Sequence, residues 1–236
     1  MSDTTSHDSA AGAIGKMEAP LPGNRHLDDF KNSLHALDAL VAWLWNEVDG
    51  KQVESGIQQQ LAAFFYSLAL DHTQAIVELI KIDLSASAFA LLRSAYEAYV
   101  RGRWIQFCAK ADWLGSFATG EKDKDFPKVR EMIAELENEP EFEVSQFSGL
   151  HSKHWRAMCD YAHGGRLQIS RRLTEAGVEP NFSIDEKFHL IHASAALIIL
   201  IGSGFTQILT GGVSLQAVGE KAIALGFGLG FQYGDE

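Results

Sequence analysis

The 236-residue chain is poor in cysteine. Cys108 and Cys159 lie far apart and in no C-x-x-C pair, which excludes a disulfide framework and a thiolate metal knuckle. Proline is nearly as scarce. Of five prolines only Pro127 falls between Pro22 and Pro140, so long stretches carry no helix breaker, and with few β-branched runs helices are favoured over a sheet of short strands. Several chemical signatures are missing too: there is no P-loop, no G-x-G-x-x-G after a strand, no H-E-x-x-H and no G-x-S-x-G. Positive charge is in deficit, with 20 Lys and Arg against 31 Asp and Glu and a formal net charge of -11. A surface uniformly attractive to nucleic acid is thereby excluded, and any anion site has to arise by local segregation of charge.

The first 24 residues hold almost no large apolar side chains and lack the basic start and apolar core of a signal peptide. They read as a disordered segment of a cytoplasmic protein. The longest stretch free of Asp, Glu, Lys and Arg runs from Phe188 to Gly219. It carries His189, His192, Ser194, Ser203, Thr206 and Gln207, so a buried core or dimer-interface helix is expected there and no membrane span.

What remains is helical periodicity. Leu27, Phe30, Leu34, Leu37, Val41, Leu44 and Val48 recur at steps of three and four, drawing one apolar stripe that ends at Asp49-Gly50. Further helices are expected over Ser55–Ile82 and Ser85–Ala109, with Asp83 and Ser85 capping between two antiparallel neighbours. The chain after Trp113 turns polar and reads as a solvated excursion with one short helix from Phe126-Pro127 to Glu137. A helix over Leu150–His163 stops at Gly164-Gly165, and a short one over Arg166–Glu175 follows. Ser183 and Glu186 form an S-x-x-E capping box for a long helix to Leu209, and Ser214–Leu225 is the last. The expected fold is all-α: an up-down bundle of about four long helices with shorter accessory helices. It occupies residues 25–225 as one domain, ahead of a glycine-rich tail over 226–236.

The charge that is present is unevenly placed. Between His151 and Arg172 lie Lys153, Arg156, Arg166, Arg171 and Arg172, three histidines and one acid, Asp160. Between Glu121 and Glu143 lie nine acids and four bases. Seven helical positions turn through about 700°, so Arg156 and His163 share a face two turns apart to within roughly 20°. An imidazole at a helix end, near unpaired carbonyls that favour its charged form, suits proton transfer, and arginine suits phosphate. The plain alternative is that Arg156 pairs with an acid and His163 caps the helix.

Two other constellations stand out. Arg93, Glu97 and Arg101 at steps of four share a helix face, either as a structural network or with Arg93 or Arg101 completing an anion site beside His163 and Glu97 orienting it. Glu186-x-x-His189-x-x-His192 has metal-ligand spacing but no second Glu-x-x-His, and core or interface histidines are the simpler explanation. No metal or other cofactor is expected.

The pattern Arg156-x6-His163 resembles the R-x4-6-H motif of the HEPN superfamily. Leu92-Arg93-Ser94-Ala95-Tyr96-Glu97 together with Asp160-Tyr161-Ala162-His163-Gly164-Gly165 resembles a poorly characterised group of bacterial helical proteins, over roughly Ser55 to Leu209. The HEPN resemblance implies a metal-independent endoribonuclease or RNA-binding protein of a toxin–antitoxin or defence type. It also implies a homodimer whose two Arg156/His163 pairs line one cleft, where an RNA 2′-hydroxyl attacks the adjacent phosphate. Arg93, Glu97, Arg101, Arg166, Arg171 and Arg172 are then the candidate substrate-binding residues. Ala157 stands where many active members carry a polar residue, so a second class stays open: a non-catalytic protein docking an anionic ligand or an acidic protein partner.

Overall fold

The structure, a computed structural model, describes residues 27–120, 125–142, 147–175 and 177–227. The N-terminal segment expected to be disordered and most of the glycine-rich tail lie outside those residues. Among the described residues there are nine α-helices and four two-residue strands. Four helices are long: α1 (Leu27–Val48), α2 (Ile57–Lys81), α3 (Ser85–Phe107) and α8 (Ile184–Phe205). The shorter ones are α4 (Ala111–Thr119), α5 (Val129–Leu136), α6 (Phe147–Ala162), α7 (Arg166–Ser170) and α9 (Leu215–Ala224). This is the all-α bundle with accessory helices that the periodicity predicts.

α2 and α3 form the central hairpin, and α1 and α8 pack beside it. The stripe on α1 does what its spacing requires: Leu34, Leu37, Val41 and Leu44 are buried, along with Leu40. Each such side chain contributes roughly 1.5–3 kcal/mol by leaving water. α8 is long and apolar enough to cross a membrane, yet over half of its apolar window is buried within the bundle. Leu190, Ile191, Ile198 and Ile201 face the core. Its start is the capping box the sequence announces, with the Glu186 amide donating to Ser183 Oγ at 3.2 Å and the Ser183 amide donating to Glu186 Oε2 at 2.9 Å. Strands β1 (Gln52–Val53) and β4 (Leu209–Thr210) pair antiparallel and tie the α1–α2 connection to the end of α8. α9 closes on Gly226 (φ 86°), where the Phe227 amide donates to Ala222 O and the Phe227 ring is buried.

Two expectations fail locally. Asp83 and Ser85 do not cap α3, which has no side-chain cap. Asp83 instead takes a left-handed φ of 59° and pairs with Lys187 at 2.6 Å, turning the chain sharply and tying the hairpin to α8. The segment after Trp113 is no solvated excursion. Trp113 and Phe117 of α4 stack with ring centroids 4.8 Å apart, and Phe65, Trp104 and Phe126 join them. Aromatic burial outweighs the polar residues around it. The expected helix over Arg166–Glu175 ends at Ser170, because Leu173–Thr174 (β2) and Gly177–Val178 (β3) pair as a hairpin.

Beyond the central hairpin, α3 carries α5 and α6 on its other side, and α5 lies along α6. The acidic and basic segments are therefore neighbours. Glu137 accepts a 2.8 Å hydrogen bond from the Ser148 amide, placing a carboxylate at the N-terminus of α6 where the helix dipole favours it.

Candidate functional site

The C-terminus of α6 shapes the site. His163 follows Ala162 with its amide bonded to Cys159 O at 2.9 Å, Gly164 turns left-handed (φ 66°), and the Gly165 amide reaches back to Asp160 O at 2.7 Å. That is a Schellman closure. A Cβ on Gly165 would lie 2.8 Å from the Asp160 Cα, so the second glycine is needed for the chain to double back. The turn leaves the His163 side chain exposed at the helix end, directed at α3.

The residue it meets is Arg93, whose Nη1 lies against His163 Nε2. Arg93 is held from two further sides. Its Nε donates to Glu97 Oε1 at 2.8 Å, and its guanidinium lies 4.8 Å from the Trp155 ring centroid. The other Glu97 oxygen accepts from Arg101 Nη2 at 3.4 Å. An i,i+4 pair of this kind contributes only about 0.3–0.5 kcal/mol. With Arg93 and Glu97 side chains about one-fifth exposed, the ladder orients Arg93 more than it stabilises the fold.

Arg93, Glu97 and His163 line a cleft of about 580 Å³ that opens between α3 and the end of α6. Ser87, Ala90 and Ser94, at helical spacing on α3, keep the groove wide because none has a long side chain. Behind it, aromatic stacking fixes α6 on α3: His151 lies 4.6 Å from Trp155 and 6.1 Å from Tyr96, centroid to centroid. Burial, then the positive charge of Arg130, holds the His151 imidazole below its usual range, and burial pushes the Tyr96 hydroxyl up. Tyr96 Oη and His151 Nδ1 are both buried without a hydrogen-bond partner among the described residues. Of the two, His151 makes the α3–α6 contact sensitive to acid, because its buried imidazole is held below its usual range.

The other expected site residues are scattered. Arg156 is exposed and does not line the cleft, so His163 meets Arg93 and not its motif partner. Arg101 lies over the Phe126 ring at 4.9 Å, outside the cleft. Arg171 is committed to Glu186 at 2.6 Å, while Arg166 and Arg172 are exposed on α7 and just after it. Glu186 is thereby used by Arg171 and Ser183, and among the described residues no three His, Cys, Asp or Glu side chains gather as a metal would require.

Trp155, Ser87 and Ser94 are site residues that sequence patterning does not single out. The available signal was adjacency: Trp155 precedes Arg156, and Ser94 follows Arg93. Arg103 was also overlooked. It is buried at 6% exposure, between the Phe107 and Phe142 rings at 4.9 and 4.8 Å, and donates to Gln207 Oε1 at 2.7 Å.

No curated protein and no solved structure matches the chain. One family model does, described as a family of unknown function (DUF6988), over residues 66–224, a span that contains the whole groove. With well over half of its length matched, the chain belongs to the DUF6988 family.

Proposed function

We propose that this protein acts on RNA at the α3–α6 groove as an HEPN-like, metal-independent endoribonuclease, working in the cytosol as a homodimer. The observation that carries the proposal is the meeting of Arg93 and His163 in an open cleft, with Glu97 and Trp155 bracing the guanidinium. A donor-rich planar cation held at a fixed angle beside an imidazole supplies the two functions that phosphodiester cleavage needs: charge stabilisation at phosphorus and proton transfer. The exposed Arg156 and Arg166 extend the positive surface for the flanking backbone.

In the reaction the 2′-oxygen loses its proton and attacks the adjacent phosphorus. The bond from phosphorus to the 5′-oxygen breaks and that oxygen takes up a proton. The products are a 2′,3′-cyclic phosphate and a 5′-hydroxyl. One histidine serves one end of this proton exchange, and a second copy of His163 across a dimer, or water, serves the other. The purified protein is expected to cleave single-stranded RNA in the presence of a chelator, with His163→Ala and Arg93→Ala each losing activity by about 100-fold or more. Unchanged cleavage by His163→Ala removes His163 from the mechanism.

A second class rests on a different observation. Arg156 lies outside the cleft and is followed by Ala157, so the same groove suits a protein that binds an anionic ligand or partner without turnover. Salt-sensitive RNA binding with intact RNA recovered supports that class, and cleavage in chelator excludes it.

A further inference from the structure

Helix α2 has two unlike faces. One carries Ala62, Tyr66, Ala69, Thr73 and Ile80 into the core. Opposite them, at about 100° per residue, Ile57, Phe64, Leu68 and Ala75 fall within an arc of about 40°, and Ile82 continues the line past the last turn. Phe64 and Ile82 are each 65% exposed, Ile57 is 44% and Leu68 42% exposed, so this second apolar stripe faces out of the bundle. On one flank Lys81 pairs with Asp38 of α1 at 3.0 Å. On the other, Gln58 Nε2 donates to Ile105 O of α3 at 2.8 Å and the Phe65 ring meets Phe117 of α4. Between those flanks the stripe is open to solvent along the helix.

An apolar line of this length on a water-facing helix is one half of a helix pair. We infer that the other half is α2 of a second copy of this chain, packed antiparallel about a two-fold axis near Leu68. The order of the side chains is self-complementary in that arrangement. Ile57 meets the partner's Ile82, and the Phe64 ring, the largest group on the stripe, meets the partner's Ala75, the smallest, as a knob fills a hole. A parallel pair would set ring against ring and alanine against alanine. The charges agree with the antiparallel order. Glu78 and Asp71 stand at one edge of the stripe, where the two-fold axis brings them beside the partner's Gln60 and Ser67, neutral groups that can donate to a carboxylate. The same acidic edge repels an anionic lipid surface or a nucleic acid. α2 is 25 residues long, so the stripe extends over about 37 Å, and with its large side chains half to two-thirds exposed it offers roughly 500 Å² per copy. Pairing then covers on the order of 1,000 Å², enough for a specific interface. The lining of the groove comes from α3, α6 and His163 and includes no residue of α2, so the groove stays open in the dimer. This interface serves the homodimer of the proposed function but stands on the exposures of α2, not on the chemistry of the groove.

The test is analytical ultracentrifugation of the full-length protein without RNA, so its outcome is independent of cleavage. The wild type is expected to sediment as a dimer at micromolar concentration. Phe64→Glu and Ala75→Lys are each expected to weaken association by about 100-fold or more, with the helical circular dichroism retained because both side chains face outward. Val178→Glu, at an exposed apolar residue of β3, is expected to leave the dimer intact. An equimolar mixture of Phe64→Glu and Ala75→Lys is expected to recover a heterodimer, because antiparallel packing sets Glu against Lys once and Phe64 against Ala75 once. A monomeric wild type, or a Phe64→Glu protein that dimerises like the wild type, overturns the interface. Two variants that stay monomeric when mixed overturn the antiparallel register.

Discussion

Helix α3 carries two arginines ten positions apart that do opposite jobs. Arg103 is sealed at the C-terminal end of the bundle, between two phenylalanine rings, with the neutral side chains of Gln106 and Gln207 as hydrogen-bond partners and no carboxylate among the described residues. Arg93 sits in the N-terminal half of α3 at an open groove, ion-paired to Glu97 and against His163. The residue type is the same and the surroundings decide the role. Where small residues let elements close up, the cation becomes part of the core. Where they line an edge that no element covers, it stays available to a ligand.

The sealed end is built around Tyr66. Its ring lies between Gly102 of α3 and Gly204 of α8, at each of which a Cβ would come within 2.6 Å of the ring. Its hydroxyl donates to Gln106 Oε1 at 2.5 Å. Burial raises the Tyr66 hydroxyl far out of its usual range, against the opposing pull of the nearby Arg103 charge. If this end is structural and the groove is not, stability changes must separate them. Arg103→Ala removes a buried cation held between two rings together with its hydrogen bonds to Gln106 and Gln207, with an expected loss on the order of 3 kcal/mol in urea unfolding. Gly204→Ala forces the Tyr66 ring aside and is expected to cost about 1–3 kcal/mol. Tyr66→Phe removes one buried hydrogen bond and is expected to cost about 1 kcal/mol. Arg93→Ala should change stability by less than about 1 kcal/mol while abolishing anion binding. A larger loss for Arg93→Ala than for Gly204→Ala would reverse the assignment of the two ends.

Acidification gives a smaller effect that reports on the α3–α6 contact behind the groove. The His151 imidazole is held below its ordinary value by burial and by Arg130, so between the folded and unfolded pKa values the unfolded chain binds more protons. Stability from this group is complete above about pH 6.5 and is lost as pH falls toward the folded value. His72 and His154 shift in the same direction, also through burial. The midpoint of thermal unfolding is therefore expected to drop from pH 7 to pH 5, with a shallower drop in His151→Gln. An equal slope in the variant would show that His151 does not carry its share.

Much of the fold could be read from the chain. The α1 stripe, the Ser183–Glu186 box and the Gly164-Gly165 stop are local devices whose physics lies within a few residues, and each is found where the pattern puts it. α4 was missed because its aromatic side chains are satisfied by Phe65 and Trp104 from other helices, which no local window reveals. The site follows the same division. Helical geometry places Arg156 and His163 on one face, but which residue of a neighbouring helix meets His163 depends on how α6 lies across α3. That is fixed by the packing of Trp155 and His151 against α3, through Arg93 and Tyr96. The option that Arg93 joins His163 with Glu97 orienting it matches the arrangement found, whereas the distinction between Arg93 and Arg103 had no signature in spacing.

The central claim is that the Arg93–His163 groove is where RNA phosphate binds. Fluorescence anisotropy with a labelled single-stranded RNA, in chelator and at low salt, tests it most directly by comparing Arg93→Ala with Lys110→Ala, an exposed cation beyond the other end of α3. Binding by the wild type and by Lys110→Ala, with a loss of tenfold or more in Arg93→Ala, is the expected result. Equal affinity in Arg93→Ala and the wild type, or no RNA binding by the wild type, would contradict it.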